Sequence, residues 1–109
     1  KNKKKRQISC YGCDISYFSK IGKHIRFPHP LGIVIGNNCL VGNNVTIWQN
    51  VTIGSSGNEV KKYPKVEDGV KIFTNSVIIG NIVIGQNSII GAMSFINKSV
   101  KSNSVSYGK

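Results

Sequence analysis

A branched aliphatic residue at every sixth position, glycine directly after several of these, and asparagine pairs at the corners between them predict an all-β chain. The predicted fold is a single-stranded left-handed parallel β-helix of hexapeptide repeats, three faces per coil. Neither a two-residue strand alternation nor a 3.6-residue helical period fits a spacing of six.

The ladder runs Ile35, Val41, Ile47, Ile53, then Val66, Ile72, Ile78, Ile84, Ile90 and Ile96. Isoleucine and valine make up 27 of 109 residues, so ten such residues in register has a chance probability of about one in a million. Glycine follows at Gly36, Gly42, Gly54, Gly85 and Gly91, and four places after the ladder stand small or branched residues, Cys39, Val45, Val51, Val70, Ser76, Ser88 and Ser94. Asn37-Asn38 and Asn43-Asn44 suit turns, because asparagine enters the left-handed backbone region at lower cost than other side chains. Coils stack at strand spacing, about 4.8 Å, with the ladder on the axis.

Weaker positions at Ile15, Ile21 and Phe27 carry the pattern toward the N-terminus. Two steps break it: Phe27 to Ile35 is eight residues, and Ile53 to Val66 is thirteen. The chain thus divides into a basic segment, 1–13, read as a linker from a missing N-terminal part, and a β-helix domain, 14–109, with a loop excursion at 55–65. Loops on a rigid scaffold carry specialised side chains, so chemistry is expected at the two breaks.

The net charge is +11; the lysines are otherwise scattered, but Lys1, Lys3, Lys4, Lys5 and Arg6 cluster at the start. No aromatic platform for base stacking accompanies them, which argues against nucleic acid; positive charge also suits a ligand bearing phosphates. No apolar run is long enough to span a bilayer. Cys10, Cys13 and Cys39 are too few for a disulfide framework and fit a reducing cytoplasm. Cys10 and Cys13 form a C-x-x-C without the second pair that a zinc site needs, and the two histidines, His24 and His29, cannot supply a three-histidine set, so no metal is expected.

His24 lies inside a regular repeat and reads as a surface residue. His29 stands in the first break. With Ile35 opening the coil above Ile15, Asp14 and His29 approach one corner from adjacent coils. A carboxylate bonded to one imidazole nitrogen leaves the other free to take a proton, the arrangement of a supported general base; structural ion pairs share that pattern.

Several segments carry a resemblance: Asp14-Ile15, Lys20-Ile21-Gly22, His29 with Leu31-Gly32-Ile33-Val34, Val51-Thr52-Ile53-Gly54, Pro64-Lys65-Val66, and Gly80-Asn81-Ile82 followed by Gly85. From about Asp14 to Lys98 the chain resembles the catalytic domain of serine acetyltransferases. The resemblance implies a His29–Asp14 catalytic dyad, a homotrimer, and acetyl-CoA as co-substrate in a groove between subunits, lined by Ser55, Thr74 and Ala92 with Lys98 toward a phosphate. Backbone N–H groups near Gly54 and Ser55 are candidates for holding the oxyanion.

Two departures bear on the acceptor. Pro28 stands where that family carries an acidic residue, and Lys62-Tyr63 where it carries Arg-His; the first removes a partner for an ammonium, the second a bidentate fork for a carboxylate. The expected activity is therefore acetyl transfer to the hydroxyl of a small neutral acceptor, a sugar of surface-polysaccharide synthesis, with Lys62, Tyr63 and Trp48 as acceptor-binding residues. Serine acetylation and an inert trimeric β-helix scaffold are the alternatives. For Trp48, packing at a subunit contact is an equal expectation.

Overall fold

The computed structural model describes residues 12–57 and 63–108. Thirteen short strands occur among them, all paired in parallel and wound as a left-handed β-helix of three sheets. Face A holds β1 (Asp14–Ile15), β3 (Val34–Ile35), β6 (Thr52–Gly54), β9 (Val77–Ile79) and β12 (Phe95–Ile96). Face B holds β2 (Lys20–Ile21), β4 (Leu40–Val41), β7 (Lys65–Val66) and β10 (Val83–Ile84). Face C holds β5 (Thr46–Ile47), β8 (Lys71–Ile72), β11 (Ile89–Ile90) and β13 (Val105–Ser106), and Arg26 adds a bridge to Thr46.

Register confirms the ladder. On face A, Ile15, Ile35, Ile53, Ile78 and Ile96 stack one above another; Val41 pairs Val66 on face B and Ile47 pairs Ile72 on face C. All ten ladder residues from Ile35 to Ile96 are buried, and so are Cys39, Val45, Val51, Val70, Ser76, Ser88 and Ser94. The buried serines stay inside because main-chain carbonyls accept their hydroxyls: Ser76 Oγ donates to Gly91 O at 2.9 Å and Ser88 Oγ to Lys101 O at 2.7 Å. In the first coil Ile15 and Phe27 are half-buried and Ile21 is exposed.

The corners explain the asparagines. Asn38, Asn44, Asn50, Asn75, Asn87 and Asn103 all have φ between 58° and 64°. His24 and Met93 adopt the same left-handed turn at φ 61° and 58°, and His24 is an exposed surface residue as expected. Turn side chains also tie coils together: Asn43 Oδ1 accepts from Lys23 N and Asp68 Oδ1 from Asn43 N, both at 2.8 Å. Glycine is required at Gly42, where a Cβ would come within 2.9 Å of the Asp68 backbone nitrogen.

A regular coil takes eighteen residues, as from Ile35 to Ile53. Ile15 to Ile35 takes twenty and Ile53 to Ile78 twenty-five. The first surplus lies at the edge between faces C and A, the second at the edge between A and B, and register resumes after each. The basic tract, Cys10 and the tip of the second excursion with Lys62 lie outside the described residues.

Candidate active site

His29 sits in the bulge made by the two extra residues. Pro28 and Pro30 bracket it, and the bulge is tethered from above and below. Leu31 N donates to His29 O at 2.7 Å and Asn50 N of the next coil to Leu31 O at 2.8 Å; below, Asp14 N donates to Ile33 O at 2.8 Å and Ile33 N to Cys13 Sγ at 3.4 Å. The main chain is thus fixed while the imidazole is exposed. This explains Cys13: it is a half-buried coil-stacking residue.

Asp14 lies one coil beneath the strand that the bulge feeds, paired in register with Val34. Its exposed side chain opens on a 220 Å³ depression with Ser16, Tyr17, Phe18, Val34 and Gly36. The expected adjacency of coils holds. No hydrogen bond or ion pair joins Asp14 to His29 among the described residues, because Asp14 stands on the face and His29 on its edge.

The remaining expected residues fall on two edges of face A. Thr74 and Ala92 follow the face C ladder residues Ile72 and Ile90 by two places and stack on the C/A edge with His29. The Thr74 hydroxyl donates to Gln49 O at 3.0 Å, so it can meet a ligand only as an acceptor; Ala92 is exposed. Gly54, Ser55 and Lys98 lie on the opposite A/B edge. Gly54 O accepts from Gly80 N at 3.1 Å, and nothing stands within 4 Å of where a Gly54 Cβ would be, which leaves its backbone open to close approach. Ser55 Oγ donates to Gly57 O at 3.0 Å.

Of the expected acceptor residues, Trp48 is on the C/A edge, half-buried and stacked on Phe73 with centroids 4.2 Å apart and planes 12° from parallel. One ring face is therefore already covered. Tyr63 is half-buried on the A/B edge, its ring over Gly36. Four residues near these edges, Phe73, Tyr17, Phe18 and Gln49, escaped the sequence reading. Phe73 and Trp48 share a place, one after the face C ladder; Tyr17 and Phe18 form an edge-on pair, 5.8 Å between centroids, beside Asp14. Both signals were present as aromatics where other coils carry small or polar residues. Gln49 gave no signal.

The repeat and register define a hexapeptide-repeat β-helix, and a family profile for bacterial transferase hexapeptide (six repeats) matches residues 63–98. The chain is serine acetyltransferase-like: solved serine acetyltransferases superpose on it with substantial identity. Serine acetyltransferase isoform 3 of Entamoeba histolytica, in complex with cysteine, is 33% identical with a TM-score of 0.85, covering 93% of this chain and 36% of its own. The Neisseria gonorrhoeae enzyme is 38% identical with a TM-score of 0.87, covering 90% of this chain and 38% of its own. The soybean enzyme complexed with serine is 37% identical with a TM-score of 0.87, covering 90% of this chain and 41% of its own. The chain thus spans about two fifths of the length of these relatives. No curated protein sequence matches it.

Proposed function

We propose that this chain is the acyl-transfer domain of an acetyl-CoA-dependent O-acetyltransferase whose acceptor is L-serine. The observation that carries the reading is the 33–38% identity to serine acetyltransferases over nine tenths of the chain, together with a histidine in a tethered bulge above Asp14. His29 takes the proton of the acceptor hydroxyl as its oxygen bonds to the thioester carbonyl carbon. The C–S bond then breaks and the imidazolium returns the proton to the departing sulfur, so no covalent enzyme intermediate is needed. Asp14 orients the ring when the imidazole turns inward from the edge, and backbone N–H groups at Gly54 and Ser55 hold the oxyanion.

The site is assembled between protomers of a homotrimer. Support comes from the split of the acetyl-CoA residues: Thr74 and Ala92 on one edge, Gly54, Ser55 and Lys98 on the other, so a single cleft can contain both sets only where one chain's edge meets another's. Val34, Thr52, Val77 and Phe95 are aligned on the outer side of face A, a mostly apolar stripe fit for such a contact. Cys13 and Cys39 are unpaired, in keeping with a cytoplasmic setting, and among the described residues no helix is long and apolar enough to cross a membrane.

A neutral sugar hydroxyl is the second reading, favoured by Pro28, which puts no carboxylate beside His29 for a substrate ammonium. Acetyl-CoA-dependent thiol release with L-serine, hexoses and amino sugars tests both. Serine turnover supports the main reading, and turnover confined to sugars replaces it. An inert scaffold releases no thiol with any acceptor. His29→Ala is expected to lower kcat by 10²–10⁴-fold; an unchanged rate removes His29 from the mechanism. In Pro28→Asp, serine should be preferred over a sugar more strongly than in the parent.

A further inference from the structure

Gln49 is the feature that the reading above does not use. Its main-chain carbonyl is fully engaged, accepting from Thr74 Oγ1 at 3.0 Å and Asn75 N at 3.1 Å. Its side-chain Oε1 is buried with no hydrogen-bond partner, the one such side-chain atom among the described residues. An unsatisfied buried acceptor is destabilising, and its retention calls for a role. Position supplies one. Gln49 follows Ile47 by two places, as Thr74 follows Ile72 and Ala92 follows Ile90, so it continues that column downward to the level just above the His29 bulge.

We infer that Gln49 binds the acyl-CoA arm, its carboxamide oxygen accepting the pantetheine amide N–H nearest the sulfur. This rests on the acetyl-CoA reading above. In an acyl thioester that amide nitrogen is three bonds from the sulfur, about 4 Å. A coil step is about 4.8 Å. An arm descending past Ala92 and Thr74, with its last amide at Gln49, therefore delivers the thioester one coil lower, at His29. The carboxamide has no intramolecular hydrogen bond to break, and the terminal torsion of glutamine has a broad minimum, so the oxygen turns outward to meet a donor.

The test pairs a protein variant with a substrate variant. Gln49→Met keeps the length of the side chain and removes the carboxamide. It should melt at or above the parent temperature, since an unsatisfied buried oxygen is lost. By calorimetry it should bind acetyl-CoA about tenfold more weakly, the scale of one hydrogen bond. An acetyl-CoA analogue with an ester oxygen in place of that N–H should bind the parent about tenfold more weakly and Gln49→Met no more weakly than acetyl-CoA does. Equal acetyl-CoA affinity in parent and Gln49→Met, with transfer intact, overturns the role of Gln49 and leaves the proposed function standing. Persistence of discrimination against the ester analogue in Gln49→Met also overturns it. A parent protein that neither binds acetyl-CoA nor releases thiol removes the proposed function and this inference together.

Discussion

Met93→Asn should stabilise the protein. Six of the corner turns place asparagine in the left-handed region, and Met93 occupies the same place at φ 58° with 74% of its surface exposed. A residue with an ordinary side chain loses about 1–2 kcal/mol in that region, and asparagine loses less because its short amide bonds locally. Exposure means that little packing is forfeited, and the bond from Met93 N to Thr74 O at 2.8 Å belongs to the main chain and survives. The expected gain is about 1 kcal/mol. With an unfolding entropy of about 2.1 cal/mol/K per residue, a chain of this length should melt about 4 °C higher. Scanning calorimetry at matched protein concentrations measures this, and Asn38→Met, the reverse change at another corner, should lower the midpoint by a similar amount. If Met93→Asn melts at or below the parent temperature, the backbone argument is refuted.

Two further outcomes follow from the core. Ile72 is fully buried between Ile47 and Ile90, so Ile72→Ala should cost about 2–5 kcal/mol in urea unfolding, with a larger loss the less the coil can close over the gap. Burial pushes the Cys39 thiol up to about 11 from an ordinary 9.0, against a smaller opposing effect of its hydrogen bond with the Gly36 backbone. The folded chain therefore holds that proton where the unfolded chain releases it, so the contribution is complete below pH 9 and is lost as pH rises toward 11. Urea midpoints across that window should fall less steeply in Cys39→Val, which places there the residue already found at Val45, Val51 and Val70.

The axis of the fold was legible because every inward position repeats at a fixed interval. Ile35 to Ile96 could be read off as buried, and the asparagine corners followed from backbone cost alone. The same rule passed over Met93 and His24, which adopt the turn without the residue that favours it. The two repeat breaks located His29 and the A/B loop. Spacing fixed the coil of each side chain but not its direction, and so it brought Asp14 and His29 to adjacent coils without the bond that a dyad requires. The division of Thr74 and Ala92 from Gly54 and Ser55 was implicit in which ladder residue each follows, face C for the first pair and face A for the second. Gln49 was invisible because corner places two after the ladder vary freely in type, and only the burial of its oxygen sets it apart.

The return to register after each break separates two demands that most folds must meet with the same residues. Two extra residues between Ile15 and Ile35, and seven between Ile53 and Ile78, leave the stacked isoleucines aligned as if nothing had been inserted. Loop lengthening costs entropy only logarithmically, so a prism edge can accept new segments while the stacking below it stays untouched. Substrate preference in such a molecule can drift by insertion at an edge, and the folding problem does not have to be solved again.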